Sequence, residues 1–123
     1  MKRLLIVEDQ ADLRKLVRMM LEFEGYDLHE AVNGAEGLRK AIEILPDLIL
    51  LDVMMPGELD GLAVCARVRA EPVLRQTRVV LMSARSQPAD VEVGVRAGAD
   101  AYLVKPFSPL RLIETIERLL PAG

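Results

Sequence analysis

The sequence has no tryptophan, two phenylalanines, two tyrosines, one cysteine and one histidine. With aromatics at 3% of residues, the core of any fold it adopts must be aliphatic. A single cysteine excludes an internal disulfide and a multi-thiolate metal site, and it fits a reducing compartment. Cys65 falls on a helix-core position and reads as a small buried hydrophobe. His29 reads as an exposed residue of an edge strand. No apolar run approaches the roughly 20 residues that span a bilayer. Leu4-Leu5-Ile6-Val7 after Met-Lys-Arg could begin a signal peptide, but Glu8 and Asp9 cut it short, so a cytoplasmic protein without membrane contact is expected. Excess positive charge is lacking as well. The net charge is −3 and the pI about 5.2, where a nucleic-acid surface wants clustered Lys and Arg, so no direct nucleic-acid binding is expected.

What the chain does have is aliphatic mass: 51% of its 123 residues are hydrophobic, enough for one domain over 1–123. Leu48-Ile49-Leu50-Leu51 runs straight into Asp52. A short continuous apolar run of this kind predicts a strand buried on both faces, with Asp52 at its C-terminal end. Leu4–Val7 predicts a second such strand, ending in Glu8-Asp9. Val79–Met82 predicts another, ending in Ser83, and Ala101–Val104 a last one, ending in Lys105-Pro106. Tyr26–Ala31 mixes polar and apolar residues and suits a sheet edge.

Helical spacing fills the gaps. Leu13, Leu16, Val17, Met20 and Leu21 mark a first helix. Ala35, Leu38, Ile42 and Leu45 mark a second, and Leu62, Cys65, Ala66 and Val68 a third. Ser108-Pro109 is an N-cap followed by Pro at the first helical position, opening a final helix with Ile113, Ile116 and Leu120 inward. Between them, 89–97 is ambiguous. Val91, Val93 and Val95 alternate as a strand would, and Gly94 weakens a helix. A crossover between parallel strands is needed there, so a loosely held helix is expected. Five β-α units in a row predict an α/β fold, a parallel sheet with helices on both faces.

Right-handed crossovers bring all strand C-termini to one edge. That edge collects Glu8, Asp9, Asp52, Ser83 and Lys105, and open α/β sheets bind ligands there. Carboxylates crowded together repel unless a cation joins them. A hard divalent ion answers that need, Mg²⁺ being usual in phosphate chemistry. Metal, ammonium and hydroxyl around a free carboxylate form a cradle for a phosphoryl group, and an Asp carboxylate can be the nucleophile that takes it.

LLIVEDQ at the start, LILLDVMMPG in the middle, VVLMSA later and GADAYLVKPF near the end together resemble the response-regulator receiver domain of bacterial two-component signalling, over essentially the whole chain. The resemblance implies a flavodoxin-like three-layer αβα sandwich with strand order 2-1-3-4-5. It implies Asp52 as phosphoacceptor, and Mg²⁺, with Mn²⁺ as an alternative, on Glu8, Asp9, Asp52 and the backbone carbonyl of Met54. It implies Ser83 as switch hydroxyl, Lys105 as phosphate partner, Tyr102 as switch aromatic, and a cis Lys105-Pro106 bond. The implied partners are a histidine kinase or histidine phosphotransfer protein as donor and a downstream protein target. The protein would be a phosphoacceptor rather than an enzyme. Two departures stand out. The loop Pro56-Gly57-Glu58-Leu59-Asp60-Gly61 carries one residue more than the family often has. Val91, Arg96, Ala101, Arg111 and Thr115 replace most of the paired charges through which one DNA-binding class dimerises, so a monomer or weak dimer is expected.

Rival readings fit less well. Haloacid-dehalogenase-type phosphatases need a second Asp two residues after the nucleophile, where this chain has Met54. A phosphorylation-independent module would not need the acidic set. Gly34 and Gly37 follow the wrong strand for a dinucleotide loop and lack its third glycine, and Glu8-Asp9 would repel a nucleotide phosphate.

Overall fold

The computed structural model describes residues 1–121. Five strands, β1 (Arg3–Val7), β2 (Asp27–Ala31), β3 (Leu48–Asp52), β4 (Arg78–Ser83) and β5 (Ala101–Val104), alternate with α1 (Ala11–Leu21), α2 (Gly34–Ile44), α3 (Gly61–Ala70), α4 (Pro88–Arg96) and α5 (Pro109–Leu119). A single 3-10 turn, Pro72–Leu74, separates α3 from β4. All pairings are parallel and the strand order is β2-β1-β3-β4-β5. This is the flavodoxin-like αβα sandwich expected of the four motifs.

The apolar runs are continuous because both sheet faces are covered. Leu5, Val7, Ile49, Leu51, Val79 and Leu81 face α2 and α3, meeting Ala41, Val64, Cys65 and Val68. Leu4, Ile6, Leu48, Leu50, Val80 and Met82 face α1 and α5, meeting Val17, Leu21, Leu112 and Ile116. β3 is buried along its whole length, as a central strand flanked by β1 and β4 must be. β2 takes the edge that its mixed composition suggested.

The buried face of α2 differs from the expected one. Ile42 and Leu45 are 44% and 52% exposed, while Gly34, Gly37 and Ala41 are buried. The helix rides so close on β1 that a Cβ at Gly37 would stand 2.9 Å from both γ-methyls of Val7. Only small residues fit along that line; of the expected bulky positions Leu38 packs against the core, while Ile42 and Leu45 do not. The same cause explains Gly94, the one buried residue of α4. An added Cβ there would lie 3.0 Å from Leu81 and 3.1 Å from the Tyr102 ring. Val93 and Val95 face outward, so their alternation reports no strand. In α3, Val64 is buried and Ala66 exposed, which rotates that helix slightly from the expected stripe.

Arg69 on α3 ties the far end of α4 to the sheet. Its guanidinium donates to the carbonyls of Gly98 (2.8 Å), Thr77 (2.6 Å) and Arg75 (3.4 Å) and to Asp100 Oδ2 (2.9 Å). Asp100 in turn accepts from the backbone N–H of Val79 at 2.8 Å. A planar fork satisfies these acceptors together, which lysine could not. Arg69→Met is expected to cost about 2–3 kcal/mol of unfolding free energy, because half-buried carbonyls and a carboxylate lose a charged donor. Urea denaturation measures it, and a loss below about 0.5 kcal/mol would mark an ordinary surface ion pair instead.

Candidate functional site

The C-terminal ends of β1, β3 and β5 converge on one cluster. β1 stops at Val7, and Glu8 continues its pairing with β2 by donating its N–H to the Ala31 carbonyl at 3.2 Å. Glu8 is fully buried, and Asp52 at the end of β3 is 3% exposed. Glu8, Asp9 and Asp52 each offer a carboxylate oxygen within 4.8 Å of one another. Lys105, just past β5, reaches into the cluster, its Nζ 2.8 Å from Asp52 Oδ1 and 3.0 Å from Glu8 Oε1. The acids and the lysine therefore meet although they come from distant parts of the chain.

Burial dominates the electrostatics. It pushes the Glu8 carboxyl upward; the hydrogen bond from Lys105 pulls the other way, and the Asp52 charge adds to the rise. Burial also opposes the Lys105 ammonium, but its bonds to Asp52 and Glu8 outweigh that and hold it above the usual lysine value. Asp9 is the member without a local answer. Its Oδ1 is buried and has no hydrogen-bond partner. An unpartnered buried acceptor costs about 1–3 kcal/mol, and hard oxygen donors converging on one point suit a divalent cation. The three carboxylates therefore fit a small hard ion, with Asp9 Oδ1 left free to take it.

Ser83 ends β4, buried, one residue beyond the Asp52–Met82 register pair. Its Oγ accepts from the Arg85 N–H at 3.1 Å, so the hydroxyl stands at the mouth of the β4–α4 loop. Tyr102 is engaged with that loop as well, donating its hydroxyl to the Arg85 carbonyl at 3.0 Å. It lines a cleft of about 100 Å³ with Val53, Leu62, Arg85, Asp90 and Val93. Met54 lies two residues past Asp52 and is 55% exposed. The Lys105–Pro106 peptide is cis.

Two features escaped the sequence reading. Gly61 opens α3 directly beneath the phosphoacceptor candidate: its N–H donates to the Val53 carbonyl at 3.0 Å, and an added Cβ would overlap the Asp52 carbonyl oxygen. The Asp60-Gly61 pair, a capping residue followed by glycine, was its available signal, Asp60 Oδ1 accepting from Ala63 N at 2.9 Å. Arg14 on α1 donates to the Glu8 carbonyl at 2.8 Å and pairs with Glu30 at 3.2 Å. Its partners lie on other elements, so no local pattern announces it.

Comparison with known proteins agrees with this geometry. The family model for the response regulator receiver domain matches residues 4–117. The chain is 42% identical over 118 residues to the transcriptional regulatory protein ResD of Bacillus subtilis, covering 96% of this chain and 48% of that protein. It is 38% identical over 120 residues to the DNA-binding dual master transcriptional regulator RpaA of Synechocystis, covering 98% and 49%. Among solved structures, the chemotaxis protein CheY4 of Vibrio cholerae superposes with a TM-score of 0.91 at 32% identity, covering 98% of this chain and 99% of that one.

The chain spans about half the length of the curated relatives it matches. They overturn the expectation of no nucleic-acid contact, since these relatives are transcriptional regulators and RpaA is named as DNA-binding. The physical reason is that a charge of −3 describes the surface of these 123 residues alone. It carries no information about the half of those proteins that lies outside the match. With the sheet order, the acid–lysine cluster and the family match over residues 4–117 in agreement, the chain belongs to the response regulator receiver domain family.

Proposed function

We propose that Asp52 accepts a phosphoryl group from the phosphohistidine of a histidine kinase or histidine phosphotransfer protein. A carboxylate oxygen of Asp52 attacks phosphorus, the P–N bond breaks, and the electron pair and a proton end on the departing imidazole. The observation that carries this reading is the Asp52 carboxylate, its side chain 5% exposed and held 2.8 Å from Lys105 Nζ beside two further acids. Glu8, Asp9, Asp52 and the Met54 carbonyl would hold Mg²⁺, or Mn²⁺ in its place, which when bound neutralises charge on the phosphoryl oxygens. Lys105 keeps its charge because of its acid partners, so it is ready to pair with an added phosphoryl oxygen.

Ser83 and Tyr102 are the switch in this reading. The Ser83 hydroxyl leaves its Arg85 contact to donate to the phosphoryl group, and Tyr102 gives up its bond to the same loop. α4 has little to lose by moving, since Gly94 is its only buried residue. Phosphorylation binds one conformer better than the other and shifts their populations. The α4-β5-α5 face then reports the state to a protein target. The domain promotes only its own phosphorylation and dephosphorylation. Acetyl phosphate with Mg²⁺ is expected to add about 80 Da to the intact protein, one acyl phosphate per chain. No adduct on the wild-type chain would overturn the assignment.

A further inference from the structure

Arg14 holds the peptide unit between the two acids. The Glu8 carbonyl and the Asp9 N–H belong to one planar peptide, so holding that oxygen restricts rotation of the plane from which both acidic residues extend. Arg14 Nη1 donates to it at 2.8 Å. Arg14 is itself anchored, its Nε donating to Glu30 Oε1 at 3.2 Å. Glu30 is anchored a second time by Arg18, at 2.7 Å from Oε2. The result is a brace from α1 through β2 to the acidic turn, made of a planar guanidinium between two fixed acceptors. The Arg14 side chain is 17% exposed, which limits solvent screening of these bonds.

We infer that Arg14, braced by Glu30, is a positioning residue that sets divalent-cation affinity by orienting the Glu8–Asp9 peptide. This rests on the metal site proposed above. The sign of the effect separates positioning from charge. Arg14 is a cation bonded to the backbone carbonyl of Glu8, in the turn that carries two of the three acids, so its charge alone opposes a second cation. Removing the charge without any loss of orientation would tighten Mg²⁺ binding. Removing the brace weakens it, as loss of groups that orient metal ligands generally does.

The test is amide chemical-shift titration of the wild-type chain, Arg14→Met, Arg14→Lys and Glu30→Gln with MgCl2, beside urea midpoints without metal. Arg14→Met is expected to raise the Mg²⁺ dissociation constant roughly tenfold. Arg14→Lys keeps the charge but cannot span both acceptors, so it too should bind more weakly. Glu30→Gln leaves an acceptor but loosens the anchor, giving a smaller shift in the same direction. If Arg14→Met fails to fold, the other two variants carry the test. Tighter or unchanged Mg²⁺ binding in the Arg14 variants overturns the inference, as does a lower urea midpoint with unchanged affinity. If the wild-type chain shows no saturable Mg²⁺ shifts at Glu8, Asp9 and Asp52, the metal-site reading falls, and this inference with it.

Discussion

Asp52→Asn is expected to abolish the acetyl-phosphate adduct while leaving the domain folded. A carboxamide has nearly the shape of the carboxylate, and its oxygen can still accept from Lys105, whose Nζ stands 2.8 Å from Asp52 Oδ1. It cannot form an acyl phosphate, so loss of labelling reports on nucleophilicity alone. The unfolding free energy should change by less than about 1.5 kcal/mol, as for other volume-conserving replacements. Glu8 gains from the change, because the Asp52 charge is one of the influences holding its carboxyl up. Intact-mass measurement over a time course settles the matter. An adduct on Asp52→Asn at anything near the wild-type rate would move the phosphoacceptor to Glu8 or Asp9. Those two acids are the informative controls: in Glu8→Gln and Asp9→Asn the nucleophile remains, so labelling should slow and demand more Mg²⁺ without vanishing.

The sheet and the site edge were legible because burial on both faces writes itself as unbroken aliphatic runs, and each run ended in a residue with chemistry. Leu48–Leu51 before Asp52 is the clearest case, every residue of β3 being buried. The helical faces were less legible for a steric reason. Where α2 and α4 approach the sheet most closely, the contact residue is glycine, and a hydrophobic-periodicity argument gives glycine no weight. Gly37 against Val7 and Gly94 against Tyr102 are therefore invisible until the helices are in place. Long-range polar braces were hidden too. Arg14 on α1 and Glu30 on β2 lie 16 residues apart in the chain, and only the packing of α1 beside the paired β1 and β2 brings them together. The nucleic-acid expectation failed differently, by extending a property of one domain's surface to whatever protein the domain serves.

Lys105→Met is expected to destabilise the domain by about 3 kcal/mol near neutral pH, because it strands buried acids without their cation. Lys105 bonds both Glu8, which is fully buried, and Asp52, which is 3% exposed. The pH dependence gives the loss its signature. Burial already raises Glu8, and the Lys105 bond is the strongest influence pulling it back down. Without that bond the folded-state value climbs further above the unfolded one. A group raised in this way favours the fold while protonated, below its unfolded value, and that benefit disappears as pH rises through the folded value. The variant should therefore lie nearest the wild type in acid, below the unfolded carboxyl value, and fall behind it as pH rises through the folded value of Glu8. Mg²⁺ should reverse the trend, since a divalent ion among three uncompensated carboxylates binds more tightly than one that shares them with an ammonium. At equal MgCl2, its melting temperature is expected to rise more in Lys105→Met than in the wild-type chain, by linkage of binding to folding. Equal Mg²⁺ shifts in the two proteins, or a deficit that does not grow with pH, would mean that Lys105 does not compensate these acids, and its part in phosphoryl pairing would lose its electrostatic basis.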